Sequence, residues 1–325
     1  MDFNLSVGAF AQNENIEPLN QGLVYDILIL GGGPAGLTAA VYCMRKGMKT
    51  AIVIRDLGGQ VAETVGIENY LGYRYITGTE LVDKFREQVQ EFSIGFEEGP
   101  SVTAVKPGDV KEVRLDDGRV LKAKALIVTT GKASRKLNVP GEEELIGHGV
   151  AYCAICDAPL YAGKKTIVVG GGNSGLEAAI DLAKVSTHVT LVQSREYLKA
   201  DRVLIDKLNE FTNVDIIYEH KIVEIKGKDT VEEVIVRDRK SGDTRTVAAE
   251  GIFVEIGLLP NTGFAEGVLE LNEAGEIVID CACRTSQAGI FAAGDVTSVP
   301  YKQIIIAAGE GATAALSACD YVMKH

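Results

Sequence analysis

A short apolar run that ends in Gly-x-Gly-x-x-Gly and opens a helix-like stretch occurs twice in this chain, and the duplication restricts the fold more than any other feature. In the first copy VYDILIL (24–30) leads into Gly31-x-Gly33-x-x-Gly36, then LTAAVYCMRKG (37–47) with a helical pattern, then the apolar run KTAIVI (49–54). In the second, KKTIVVG (164–170) leads into Gly170-x-Gly172-x-x-Gly175, then LEAAIDLAKVS, then HVTLVQ (188–193). Near-continuous apolar strands alternating with helices mark a parallel sheet buried on both faces. Repetition of a whole strand-turn-helix-strand unit says more than either copy alone. In such a turn the first Gly permits the tight bend, the second lets a pyrophosphate approach the backbone, and the third lets helix and strand pack closely. Free amides and the helix dipole then face the phosphates. Two turns predict two nucleotide sites with electrons passing between them, although each pattern alone also fits a Gly-rich α/β loop, and the second also fits a decayed duplicate.

The rest of the chain fits an α/β protein with room for about two domains. Its 325 residues are 46% hydrophobic and 24% charged, and no run approaches the roughly eighteen apolar residues of a membrane helix. Lys plus Arg number 33 against 45 Asp plus Glu, for a formal charge of -12, which repels phosphate backbones and argues against nucleic acid. Residues 1–22 read as an aperiodic polar tail with no signal-peptide pattern, and six Cys are too few for a secreted disulfide scaffold. The expected location is a reducing cytoplasm, where a close pair of cysteines stands out. Between the glycine turns a helix is expected at about 79–92, a hairpin over 111–131 turning at Asp117-Gly118, and a Pro/Gly/Glu linker over 138–144. After them come a hairpin over 232–257 turning at Ser241-Gly242, a second linker at 258–263, a strand EIVIDC, and a long apolar helix over about 303–322.

Cys153-Ala154-Ile155-Cys156 is followed at once by Asp157. This spacing permits a reversible disulfide, and an adjacent carboxylate can relay a proton to a leaving thiolate. A zinc half-site would want a second such pair or paired His; Cys281 and Cys283 have the wrong spacing, so no metal is expected, and coincidental core cysteines are the bland alternative. The pair precedes the second nucleotide unit, so electrons could pass from a nicotinamide to a flavin and on to a disulfide. Cys43 and Cys319 lie on apolar helix faces and read as core. His148 is a second candidate for proton transfer, and Asp56 is a weak candidate for the ribose carboxylate of the first unit.

On these motifs the chain resembles the low-molecular-weight thioredoxin reductase family from about residue 24 to 322, and its second half is very similar to the flavoprotein subunit of bacterial alkyl hydroperoxide reductase. The resemblance implies two Rossmann-like, three-layer ββα nucleotide-binding domains of the pyridine nucleotide-disulfide oxidoreductase type, the second inserted in the first. The expected divisions are a tail (1–22), the N-terminal portion of an FAD-binding domain (23–138), an NAD(P)-binding domain with the redox centre (139–262) and the C-terminal portion of the FAD-binding domain (263–325). It implies FAD contacts at Gly31, Gly33, Pro34, Ala35 and Gly36 of GGGPAG, at Gly59, Gln60 and Asn69 of GGQVAETVGIENYLG, and at Thr130 and Gly131 of TTG. Gly294 and Asp295 of GIFAAGDV, with Lys302, Gln303 and Ile304, complete that set. Gly170, Gly172, Asn173, Ser174 and Gly175 would hold the nicotinamide dinucleotide.

In the redox centre Cys156 is implied to lie against the flavin, Cys153 to attack the substrate disulfide and Asp157 to act as acid and base. Where NADPH enzymes of the family have His-Arg-Arg and a further Arg, this chain has Gln193, Ser194, Arg195 and Lys199, which favours NADH over NADPH. The expected protein is a homodimer that reduces thioredoxin or a thioredoxin-like protein. The first 22 residues are too few for the added dithiol domain of the peroxide-reductase flavoprotein, so the disulfide acceptor is expected to be separate. Alternatives are a ferredoxin-fed relative, a reductase feeding a peroxiredoxin system through a separate disulfide carrier, and a non-enzymatic nucleotide sensor.

Overall fold

A computed structural model describes residues 16–62, 64, 67, 69–152 and 154–325, without the side chains of Ile155 and Cys156. The chain forms two compact units, one from the described residues within Met1–Ala62, Glu68–Lys132 and Pro260–His325, the other from those within Glu63–Ile67 and Ala133–Leu259.

In the first unit a parallel sheet runs in the order Ile16–Glu17, Ile94–Glu98, Thr50–Ile54, Val24–Leu30, Val120–Val128. The last of these strands is shared: its start pairs antiparallel with Lys111–Leu115, and its end pairs parallel with Ile290–Ala292. Strand residues alternate between two cores, as a period of two requires. Ile27, Ile29, Ile52 and Ile127 pack against the helices Pro34–Arg45 and Ile304–Lys324, whereas Leu28, Leu30, Val53 and Val128 face Val105, Val113, Ala265 and Leu269. Both faces are covered, which is why these strands read as unbroken apolar runs.

Local chemistry sets the helix boundaries. Pro34 occupies the first turn of its helix behind an extended Gly33, the position where a missing amide costs nothing. The helix Gly78–Gln90 begins with a capping box in which Thr77 and Glu80 satisfy each other's backbone amides.

In the second unit a five-stranded parallel sheet has the order Val214–Ile217, His188–Val192, Lys165–Val169, Gly251–Val254, Val150–Ala151. Val168 and Leu191 face the helix Asn173–Ala183, while Ile167 and Val192 face Ile222, Val234 and Val236 of an antiparallel three-stranded sheet. The layers are therefore β, β and α, and the α/β fold of nucleotide-binding Rossmann type expected from the repeated turns is the fold observed. The linker after residue 138 is a fixed turn: the buried Glu142 carboxylate accepts from the amides of Leu137 (2.8 Å) and Asn138 (2.6 Å) and from the Tyr152 hydroxyl (2.9 Å).

Two expectations are corrected. Residues 276–281 do not form a regular strand; Ile277 makes only isolated bridges to Leu271 and Thr297. Cys281 and Cys283 lie in a turn, because Asp280 Oδ1 accepts from the amides of both Ala282 and Arg284 and Cys283 adopts φ +60. The polar segment expected as a tail also enters the sheet, since Ile16 and Glu17 pair with Ile94 and Gly95 and Leu19 is buried. Residues 1–15 lie outside the described residues.

The two glycines Gly36 and Gly309, both in helices, predict opposite outcomes. A Cβ on Gly36 would lie 1.9 Å from the Gly31 carbonyl oxygen, whereas one on Gly309 would meet nothing within 4 Å. Gly36→Ala is expected to destabilise by about 1–3 kcal/mol through overpacking, and Gly309→Ala to stabilise by about 0.5–1 kcal/mol through lost chain entropy. Urea midpoints of the two variants should move in opposite directions from the parent.

Candidate active site

The two glycine turns have the same construction. Gly31 (φ +118) and Gly170 (φ +125) make the bend that an L side chain rarely adopts, and a Cβ there would strike the carbonyl oxygens of Thr129 (2.3 Å) and Glu255 (2.1 Å). A Cβ on Gly36 or Gly175 would lie 1.9 Å from the carbonyl oxygen of Gly31 or Gly170, so each helix rests directly on its own turn. At the middle glycine the side facing outward is open: the nearest atom to a Cβ on Gly33 is 4.0 Å away, and none lies within 4 Å at Gly172. Neither helix start carries a side-chain cap. An uncapped helix N-terminus behind an open backbone fits a pyrophosphate, whose oxygens would take the orphan amides.

In the first unit two of the expected flavin-contact residues meet. Asn69 Nδ2 donates to Gln303 Oε1 (3.1 Å), although the two are far apart in sequence, and Gln60 Nε2 donates to the Lys132 carbonyl (2.8 Å). Gln303 is the extended residue just before the last helix, whose first residue is Ile304. Gly59 (φ +53) opens a short 3-10 turn, and Gly131 (φ +62) follows Thr130 in the loop beyond the strand Val120–Val128. Glu63, Val65, Gly66 and Glu68 of GGQVAETVGIENYLG lie outside the described residues.

The electrostatics of this unit centre on Glu276. Burial opposes its ionisation, but hydrogen bonds from Lys132 (2.6 Å) and Asn272, together with Lys302 at 3.2 Å, prevail and hold its pKa down to about 2. Lys302 also donates to the Thr297 carbonyl (2.5 Å), so it is tied into this cluster. The half-buried Asp295 carboxylate accepts no hydrogen bond among the described residues, and burial raises its pKa against the pull of Lys302 and Lys132. A free acceptor in this position fits a cofactor hydroxyl.

Three residues of this unit escape a reading of the sequence. Thr129, buried, donates from Oγ1 to the carbonyls of Leu30 and Gly31 (3.0 Å each) and so pins the first glycine turn. Asn261 accepts from Thr130 Oγ1 at its carbonyl and donates from Nδ2 to the Thr130 carbonyl (2.8 Å each). Glu310 accepts from the Gly294 amide (2.7 Å). The TTG and PNTG strings carry a signal for the first two, but a lone acid on an apolar helix carries none.

In the second unit Cys156 belongs to the helical turn Ala154–Asp157, while Cys153 lies outside the described residues and no side-chain geometry is described for either thiol. Asp157 makes no hydrogen bond among the described residues, and burial raises its pKa, the condition for a carboxyl that holds a proton. Burial also raises Tyr161, and the charge of Asp157 adds to that. His148 is exposed and its ring has no partner among the described residues.

At the end of the second strand the buried Gln193 spends its side chain on its own turn, donating to the Tyr197 carbonyl and accepting from the Ser194 amide (2.8 Å each). Ser194 is exposed, and Arg195 donates to the Tyr197 hydroxyl (2.8 Å). Arg239, which no sequence motif marks, donates to the Ser194 carbonyl (2.6 Å). Asn173 and Asp201 bond reciprocally at 2.8 Å beside the helix start, which positions Asn173 at the second turn. In the first unit Asp56 is exposed and pairs with Arg55 (3.4 Å).

Residues 25–311 match the family described as pyridine nucleotide-disulphide oxidoreductase. Among curated proteins the chain is similar to the F subunit of alkyl hydroperoxide reductase from Escherichia coli strain K12, at 47% identity over 97% of this chain and 61% of that protein. It is 48% identical to the corresponding protein of Staphylococcus aureus strain MSSA476, over 96% of this chain and 61% of that one. The chain therefore spans about three-fifths of the length of these relatives. Among solved structures it is similar to thioredoxin reductase from Streptococcus pyogenes MGAS5005 (TM-score 0.75, 38% identity, 93% of this chain and 99% of that one). The Lactococcus lactis thioredoxin reductase is comparable (TM-score 0.74, 36% identity, 93% of this chain and 100% of that one).

These identities overturn one expectation. Thioredoxin-disulfide reductase is the function that the motifs suggest first, but the higher identity is to the alkyl hydroperoxide reductase protein. Nothing in the glycine turns or the Cys-x-x-Cys specifies a protein acceptor of electrons. No helix among the described residues is long and apolar enough to cross a membrane. With FAD and NAD(P)H as its cofactors, NADH favoured, the chain is a flavin-dependent disulfide oxidoreductase and belongs to the pyridine nucleotide-disulphide oxidoreductase family.

Proposed function

We propose that this protein passes two electrons from NADH to the Cys153/Cys156 pair and from there to the disulfide of a carrier protein that serves a peroxide-reducing thiol system. The observation that carries this reading is the 47–48% identity to the F subunit of alkyl hydroperoxide reductase over nearly the whole of this chain. The overall balance is NADH, one proton and one disulfide converted to NAD⁺ and two thiols. FAD, when bound, supplies the two-electron relay between nicotinamide and disulfide.

Each group of residues has a role in this reading. The Gly31–Gly36 turn holds the FAD pyrophosphate, Asp295 accepts from a cofactor hydroxyl, and Asn69, Gln60 and Gln303 set the polar edge of the flavin pocket. The Gly170–Gly175 turn, with Asn173 and Ser174, holds the dinucleotide, and Ser194 and Arg195 border its ribose. The first unit, up to Lys132 and again from Pro260 on, forms the FAD-binding domain, and the second, over Ala133–Leu259, carries the dinucleotide and the dithiol. Cys153 attacks the carrier disulfide, Cys156 closes the internal disulfide, and Asp157 supplies the proton to the leaving thiolate. A homodimer in the cytoplasm completes the reading.

Peroxide-dependent NADH oxidation by the FAD-loaded protein, supplied with a two-cysteine peroxidase and a small dithiol carrier, tests the assignment. Turnover that requires both additions is expected, and its absence with both present overturns the proposal. Cys153→Ser is expected to stop turnover yet keep a long-wavelength thiolate–flavin absorption, and Cys156→Ser to lose that band; the opposite pattern reverses the two roles. Asp157→Asn should slow the dithiol half-reaction by about 10² to 10⁴. Because its pKa is raised, Asp157 holds its proton to a higher pH than an ordinary carboxyl, and the parental rate should fall as pH rises through that value. A rate in Asp157→Asn equal to the parent's across pH would reassign the residue to structure.

A further inference from the structure

Lys132, Glu276 and Lys302 of the first unit meet as one anion between two cations. The anion is preset by its own turn: Asn272 Oδ1 accepts from the amides of Ala274 (3.0 Å) and Glu276 (2.9 Å), and the Asn272 amide donates to the Glu276 carbonyl (2.9 Å). Both carboxylate oxygens are engaged. Oε2 accepts from Asn272 Nδ2 (2.7 Å), and Oε1 accepts from Lys132 Nζ (2.6 Å) with Lys302 Nζ 3.2 Å away. The side chains of Lys132, Glu276 and Lys302 are only 12%, 13% and 19% exposed, so water screens their charges weakly. Each lysine also belongs to a segment that carries an expected flavin contact. Gln60 Nε2 donates to the Lys132 carbonyl (2.8 Å), and Lys302 directly precedes Gln303, which accepts from Asn69 Nδ2 (3.1 Å). Lys302 Nζ donates in addition to the carbonyl of Thr297 (2.5 Å), two residues beyond Asp295.

We propose that Glu276 is a positioning residue of the flavin pocket, which holds Lys132 and Lys302 beside the flavin's polar edge and, by offsetting one of their charges, sets how readily the flavin is reduced. The inference rests on the reading of Gln60, Asn69 and Gln303 as that edge. Two-electron reduction makes a flavin ring more negative near neutral pH. A poorly screened positive charge nearby therefore favours the reduced form, and a negative charge opposes it. Two lysines and one ionised carboxylate leave a single net positive charge in the cluster. The same field reaches the acceptor placed for a cofactor hydroxyl: burial raises Asp295, and Lys302 and Lys132 pull it back down. Without Glu276 two ammonium groups would stand largely buried and uncompensated. With it, both lysines are fixed while the charge of only one is felt, which keeps the reduced flavin a better electron donor to a disulfide than two free cations would allow.

The midpoint potential of the flavin in the FAD-loaded protein, read from its absorbance during reduction against a reference dye near neutral pH, tests the proposal. Glu276→Gln keeps an acceptor oxygen but not the charge. At a given potential it should shift the flavin about three- to tenfold toward the reduced form, tenfold being about 30 mV for a two-electron couple. Lys302→Met and Lys132→Met should each shift it by a similar factor in the opposite direction. Glu276→Gln combined with Lys302→Met removes one charge of each sign and should return the potential close to the parent's. A general loosening of the pocket would not give opposite signs. If Glu276→Gln does not fold, the lysine variants and the double variant still supply the comparison. Shifts of one sign in all variants, or no shift in any, overturn the inference and leave the reading of the flavin edge standing. Gln303→Ala tests that reading separately: a flavin spectrum and potential equal to the parent's in this variant would overturn the reading and the inference with it.

Discussion

Each half of this protein depends on a contact that leaves no room for a side chain. The third glycine of either turn lies so close to the carbonyl of the first that a Cβ would sit 1.9 Å from the oxygen. The contact brings the helix start down onto the sheet edge, and the middle glycine keeps the outer side of the turn open. Uncapped amides and helix dipole then converge on one point, the physical requirement for holding a pyrophosphate without a cluster of cations. A chain with a formal charge of -12 can therefore bind an anionic dinucleotide through its backbone.

The acidic side chains near these turns divide by their surroundings. Glu276 is held ionised because two lysines and an asparagine outweigh its burial. Asp295 and Asp157 lack hydrogen-bond donors among the described residues, and burial moves both upward. Burial and the like charge of Glu177 raise Glu255 to about 7. One carboxyl thus works as a fixed anion that anchors two lysines, and the others are poised to accept a hydrogen bond or a proton.

The correction about the acceptor follows from the same division of labour. The glycine turns and the Cys-x-x-Cys do not distinguish one protein acceptor from another, and the chain is similar both to an alkyl hydroperoxide reductase protein and to thioredoxin reductases. Fold and motif identify the family, and they do not specify the protein that takes the electrons.

The sequence by itself determined the two nucleotide-binding units, because a buried parallel strand, a glycine turn and an amphipathic helix each leave a local pattern that survives without knowledge of neighbours. Gly31, Gly36, Gly170 and Gly175 were legible for that reason, as were the helix over 304–324 and the hairpin turn at Gly118. Only the tertiary structure decided what depends on residues distant in the chain. Asn69 meets Gln303, Thr129 pins Gly31, Asn261 closes on Thr130, and Lys132 and Lys302 share Glu276. Gln193, expected at the dinucleotide by its position, is occupied by its own turn, and Cys283 lies in a turn because Asp280 captures the amides of Ala282 and Arg284. Glu276 was invisible for the same physical reason: a carboxyl's proton affinity is set by burial and by donors from other segments, and no local pattern in one dimension records either.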